Sequence, residues 1–167
     1  LARQLRADQF PMPEWPEATP PADRLRGFVE TMVSRIVVVE EASWNTRLML
    51  REVLQPTAAC RSLVDEYFRP QFSFLMDILR EMLPDETPEH TCRKIGFSII
   101  GQCLYYRVAD GVVALLTPES ERRESFRPEQ LAEHISDMCL AALGVIPPLG
   151  RSGVTDRQSA GVGKENR

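Results

Sequence analysis

A chain of 167 residues, 43% of them hydrophobic, suits one compact domain with a sizeable core. Its formal net charge of -4 argues against this piece binding nucleic acid on its own, because a duplex first attracts a basic patch. No apolar run reaches the length that spans a bilayer, and the N-terminus lacks the charged-then-apolar order of a signal peptide.

Leu1 to Arg6 already reads as helix without a starting methionine, so the sequence is expected to be a fragment, a processed protein or an edited one. Pro11, Pro13 and Pro16 exclude regular helix from Phe10 to Thr19 and mark a loop. Thr19 then fits an N-cap, with Pro20 at the first helical position. Leu25, Val29, Met32 and Ile36 follow at helical spacing, widened by Phe28 and Val33, and predict a helix to about Val38. The β-branched run at 37–39 fits a strand in isolation, but its continuity with the stripe favours helix. A short helix is predicted from Asn45 to Leu54, ended by Pro56. The longest runs from about Thr57 to Leu83. Its two apolar rows, Val64, Phe68, Phe72, Leu75, Leu79 and Met82 beside Leu63, Tyr67, Phe74 and Ile78, imply a central helix buried on more than one side. Pro70 removes the hydrogen bond to the carbonyl of Glu66 and should kink or split it.

Pro84 and Pro88 bracket a turn before a helix from about Pro88 to Val108. This helix carries Gly96 and Gly101, each costing roughly 1 kcal/mol relative to alanine. A helix tolerates that where another backbone comes close, so a subunit interface on one side and a pocket on the other are expected. Close packing within one subunit is the other reading of the two glycines. Their five-residue spacing does not place them on one line, so each serves a different neighbour. Asp110 and Gly111 break the helix, Val112 to Leu116 forms a short apolar segment, and Thr117 to Arg127 reads as an exposed loop with at most a helical turn. The last helix starts at Pro128, with the stripe Leu131, Ile135, Met138 and Ala142, and stops at Gly144 in the C′ position. Beyond Pro147 apolar residues nearly vanish, and residues 147–167 are expected to be a disordered tail.

No reacting constellation accompanies these helices. None of the four cysteines forms a C-x-x-C pair, and Cys92 and Cys103 stand about 16 Å apart by helical rise, too far to bridge. They read as small buried hydrophobes in a reduced, cytoplasmic compartment. The two histidines, His90 and His134, lack partners at metal-ligand spacing. Gly163 and Lys164 resemble the end of a phosphate loop, but Gln158 holds the first glycine position and Glu165 replaces the Ser or Thr. Gly96 to Ile100 fails the nucleophile-elbow pattern because Ile100 holds the last glycine position. Glu40 and Glu41 read as a solvated face. The expectation is a protein that is not an enzyme and needs no metal or cofactor.

One order of segments does point to a family: the proline-rich loop from Pro11 to Pro21, the run Arg47 to Pro56, a long helix with Tyr67 to Pro70, the run Phe97 to Arg107, and a last helix from Pro128 to Gly144. It resembles the C-terminal effector and dimerisation domain of TetR-type transcriptional regulators, within the branch typified by an enterobacterial regulator of antibiotic sensitivity. The resemblance covers Leu1 to Gly144. It implies an all-α domain of about six helices that forms homodimers through a four-helix bundle, built from Pro88–Val108 and Pro128–Leu143 of each subunit. It also implies that residues 1–9 end a linker helix from an absent helix-turn-helix domain, that residues 10–146 form the effector-binding and dimerisation domain, and that DNA is met only through the absent part. A small-molecule pocket is implied among the preceding helices, the ligand favouring one spacing of the DNA-binding heads and Pro70 marking a place to flex.

Candidates for the pocket are Trp44, Arg47, Met49, Phe72, Met76, Gln102, Tyr105 and Tyr106: apolar walls with a few polar groups, suited to a mostly apolar small molecule. Gln102 stands out, because a buried amide needs partners. Candidates for the dimer interface are Gly96, Ile100, Gly101, Leu104, Leu131, Ile135, Met138 and Ala142. The alternative function is a helical dimerisation module with no small-molecule ligand and a closed interior.

Overall fold

The structure, a computed structural model, describes residues 12–37, 51–52, 54–58 and 60–149. Most of the helix expected from Asn45 to Leu54, the linker helix at residues 1–9 and nearly all of the tail lie outside the described residues.

Helix α1 spans Pro21–Val37. The Pro20 carbonyl accepts the N–H groups of Asp23 and Arg24 at 3.0 and 3.1 Å, so Pro20 rather than Thr19 holds the cap position and Pro21 opens the helix. Thr19 instead donates its N–H to the Pro16 carbonyl at 2.9 Å, closing the preceding turn. The predicted stripe is the buried face: Leu25, Phe28, Val29, Val33 and Ile36 enter the core, with Met32 at its edge. Ahead of α1, the Trp15 ring stacks on Phe74 at 5.3 Å and lies over Gly27, where a Cβ would come within 2.7 Å of the indole. Only glycine admits this lid.

The long helix is resolved into three parts. Helix α2 spans Cys60–Leu63, a π-helical turn covers Val64–Phe68, and α3 spans Arg69–Met82. The N–H of Arg69 donates to the Val64 carbonyl, five residues back. Pro70 then sits in the first turn of α3, where a missing N–H costs little. The Gln71 side-chain amide donates to the Tyr67 carbonyl at 3.2 Å, satisfying part of the disturbed ladder. Pro70 thus marks a change of helical register.

Helix α4 spans Glu89–Val108, and α5, Asp110–Leu116, leaves it at a 72° bend about Ala109. Where an exposed loop was expected, Glu119–Ser125 forms helix α6. Two of its three acids, Glu119 and Glu121, stand in the first turn, its bases, Arg122 and Arg123, in the last, and Arg123 reaches Glu119 at 3.4 Å. Helix α7 spans Pro128–Ala142. Gly144, at φ 74°, closes it: the Val145 N–H donates to the Leu140 carbonyl at 2.9 Å and the Gly144 N–H to that of Ala141 at 3.1 Å.

α1 packs against α7, α4 and α3, and α4 packs against α3 and α7. Their shared core holds Phe28 and Val29 of α1, Leu75 and Leu79 of α3, Ile99 and Cys103 of α4, and Ile135 and Leu140 of α7. At its rim, Arg26 pairs with Asp137 at 2.8 Å and Arg24 with Glu81. The described residues form no strand, and no single helix among them is long and apolar enough to cross a membrane.

Candidate functional site

The two glycines of α4 face different neighbours. A Cβ on Gly96 would meet the Phe72 ring at 3.0 Å and the Met76 sulfur at 3.5 Å, so this glycine lets α3 of the same subunit approach. Phe72 also stacks on Phe97 at 4.8 Å with the rings 16° from parallel. Gly96 therefore leaves the set of interface candidates and takes the reading of close packing within one subunit. Gly101 is exposed, with nothing within 4 Å of the position its Cβ would take. With Phe97, Tyr105 and Val108 it lies along one line of α4, at spacings of four, four and three. Phe97 is 62% exposed, and Tyr105 and Val108 are about half exposed. On α5, Leu115 and Leu116 are 89% and 77% exposed.

On α7 the predicted interface stripe divides. Leu131 and Ile135 are 5% and 1% exposed and fill their own subunit's interior, which removes them from the candidate interface. Met138 and Ala142 remain exposed. Leu131 and Met138 stand seven residues apart on one helix face, yet Leu131 is buried where it lines a cleft with Tyr106, Val113 and Phe126, and Met138 is exposed. Ile100 and Leu104 are half-buried at the edge of the core.

Of the pocket candidates, Tyr106 lines a cleft among the described residues. Trp44, Arg47 and Met49 lie outside those residues. Phe72 and Met76 are engaged in the contact between α3 and α4. Gln102 is half-buried, and its amide N–H groups reach the Cys139 sulfur of α7 and the Ser98 carbonyl, each at 3.5 Å. Burial pushes the Cys139 thiol up from its ordinary value, and burial together with neighbouring Cys139 pushes Cys103 up to about 12. Both are neutral thiols near pH 7, and the four cysteines are free. Tyr105 and Tyr106 meet edge to face at 5.8 Å and point to different surroundings, Tyr105 to the exposed line and Tyr106 inward to Phe126 at 6.2 Å.

Tyr106 belongs to a cleft of about 220 Å³ at the α4–α7 end, lined also by Asp110, Val113, Arg122, Arg123, Phe126 and Leu131. Asp110, Arg122, Arg123 and Phe126 escape sequence reasoning, the two arginines because α6 buries no residue and shows no apolar stripe. The available signal was the spacing of Glu119 and Arg123, an i, i+4 acid–base pair. A second cleft, of about 250 Å³, lies between α1 and α7, where Glu30, Glu129 and Glu133 surround Arg26, Ala132 and Ser136. Among the described residues, no three of His, Cys, Asp or Glu come together as a metal site.

The helical order, the buried stripes of α1 and α7 and the C′ glycine agree with the resemblance read from the sequence. A family model, described as HTH-type transcriptional dual regulator CecR, C-terminal domain, matches residues 21–143. No curated protein matches the chain. The matched span runs from the first residue of α1 to the residue after α7. The chain belongs to this family and carries the C-terminal domain of a TetR-family transcriptional regulator.

Proposed function

We propose that this domain is the effector-binding and dimerisation part of a TetR-like repressor, two copies joining through α4 and α7 and meeting operator DNA through helix-turn-helix domains. The observation that carries the reading is the uncovered apolar line of α4, Phe97, Gly101, Tyr105 and Val108, on a helix that the family uses for its dimer bundle. Met138 and Ala142 add exposed apolar surface on α7, the other helix of that bundle. An open Gly101 fits the close approach of a second backbone. The cleft beside Tyr106 supports a small-molecule role. In this reading the protein performs no reaction, and its free thiols suit a cytoplasmic, reducing compartment.

Binding acts by population shift: an effector moves operator affinity only by its differential affinity for the two states of the dimer. Phe72 and Met76, engaged in packing between helices, favour the second reading, a dimerisation module without a ligand. Light scattering on this chain is expected to give a dimer at micromolar concentration, and a monomer would overturn the interface. Titration of the full-length protein on operator DNA separates the two readings. Operator affinity that shifts with a small molecule supports the first; unchanged affinity at ligand saturation supports the second.

A further inference from the structure

The cleft at the α4–α7 end has a wall chemistry more specific than that of a general apolar pocket. Tyr106 and Phe126 meet edge to face at 6.2 Å and, with Val113 and Leu131, provide an aromatic and aliphatic surface. The half-buried Arg122 takes part in no ion pair among the described residues, although its neighbour Arg123 is joined to Glu119 at 3.4 Å. Asp110, the one acid of the lining, is exposed in the first turn of α5 and forms no ion pair with Arg122 among the described residues. An unpaired guanidinium next to aromatic edges recognises a planar anion, because its fork of N–H donors matches a carboxylate and the ring lies against apolar wall. Size agrees: a cavity of roughly 150 Å³ holds benzene, and about 220 Å³ leaves room for a carboxylate.

We propose that this cleft binds a small aromatic carboxylate, its ring against Tyr106, Phe126 and Val113 and its carboxylate on Arg122. The proposal deepens the effector-domain reading and rests on it for regulatory meaning, while the binding itself is a property of this chain.

The test is a titration of the chain with benzoate, followed by calorimetry and by the ring resonances of Tyr106 and Phe126. Benzamide serves as the neutral isostere and acetate as the anion without a ring. Saturable binding of benzoate is expected, with both comparison molecules at least about tenfold weaker, the order of one charge-assisted hydrogen bond. Arg122→Gln is expected to lose about tenfold and Arg123→Gln less than about threefold, each with an unchanged helical spectrum. Failure to saturate, equal binding of benzamide or acetate, or full affinity in Arg122→Gln would overturn the proposal. Operator titration of the full-length protein keeps the two ideas apart. Benzoate binding without an operator response leaves the cleft standing and defeats its regulatory meaning. An operator response to another small molecule, with no benzoate binding to the chain, defeats the cleft alone.

Discussion

Gly96 and Gly101 differ only in what stands opposite them, and that difference determines what each substitution does. A leucine at Gly96 would drive into Phe72 and Met76, and overpacking of this kind costs about 1–3 kcal/mol. Alanine at Gly101 meets open space within its own subunit and removes a helix penalty of about 1 kcal/mol. Gly96→Leu is therefore expected to unfold at lower denaturant than the parent. Gly101→Ala is expected to raise the stability of the separated subunit while weakening dimerisation in light scattering, and undiminished dimerisation would show that no second backbone uses the space. The sequence leads one to expect close approach at both glycines and, through their spacing, different directions for each; the structure shows a close neighbour at Gly96 and open space at Gly101. The sequence does not show which neighbour each one meets, because that depends on where α3 lies. Gln102 illustrates the same limit. Its need for partners is visible in the sequence, but its partner Cys139 comes from α7, 37 positions away.

Prolines and glycines made the boundaries of the elements legible. Pro20 and Pro21, Pro70, Pro88, Pro128 and Gly144 each stand at or next to an end or change of helix. What escaped was the kind of change, and one helix. Pro70 was expected to kink or split a helix; the backbone accommodates it with a π turn over the five residues before α3. Hydrophobic periodicity finds only helices with a buried face, and α6 buries no residue, so the sequence reads there as an exposed loop with at most a helical turn. At the other extreme, Gly144 was placed correctly because a left-handed C′ residue is a local requirement, visible without neighbours. Gly144→Ala is expected to cost about 1–2 kcal/mol through strain at positive φ. Hydrogen exchange should then show faster opening of the last turn of α7 while α1 and α3 keep their protection. Equal protection throughout α7 would show that the Schellman bonds do not hold this end.

For the whole molecule, the sequence carried the all-helical class and the family, but not the division between interior and uncovered surface. Leu131 and Met138 share a face of α7, and only the placement of the rest of the chain leaves one inside and the other out. The pair Tyr105→Glu and Leu115→Glu places two charges on uncovered surface without touching the core. A second copy buried there would meet unpaired charge, which costs several kcal/mol per site. The double variant is expected to scatter light as a monomer while its helical spectrum is kept. A double variant that stays dimeric would move the contact away from this face. Trp15 bears on the mechanics of the same body. Its ring is stacked on Phe74 of α3 while its backbone leads into α1, and nearby Met12 packs against the core. A pull or twist arriving from the N-terminal side thus reaches two helices in parallel, one through the main chain and one through the stacked rings. Two anchor points resist torque where a single joint would swivel, so the proline loop transmits motion as a bracket does, stiffly.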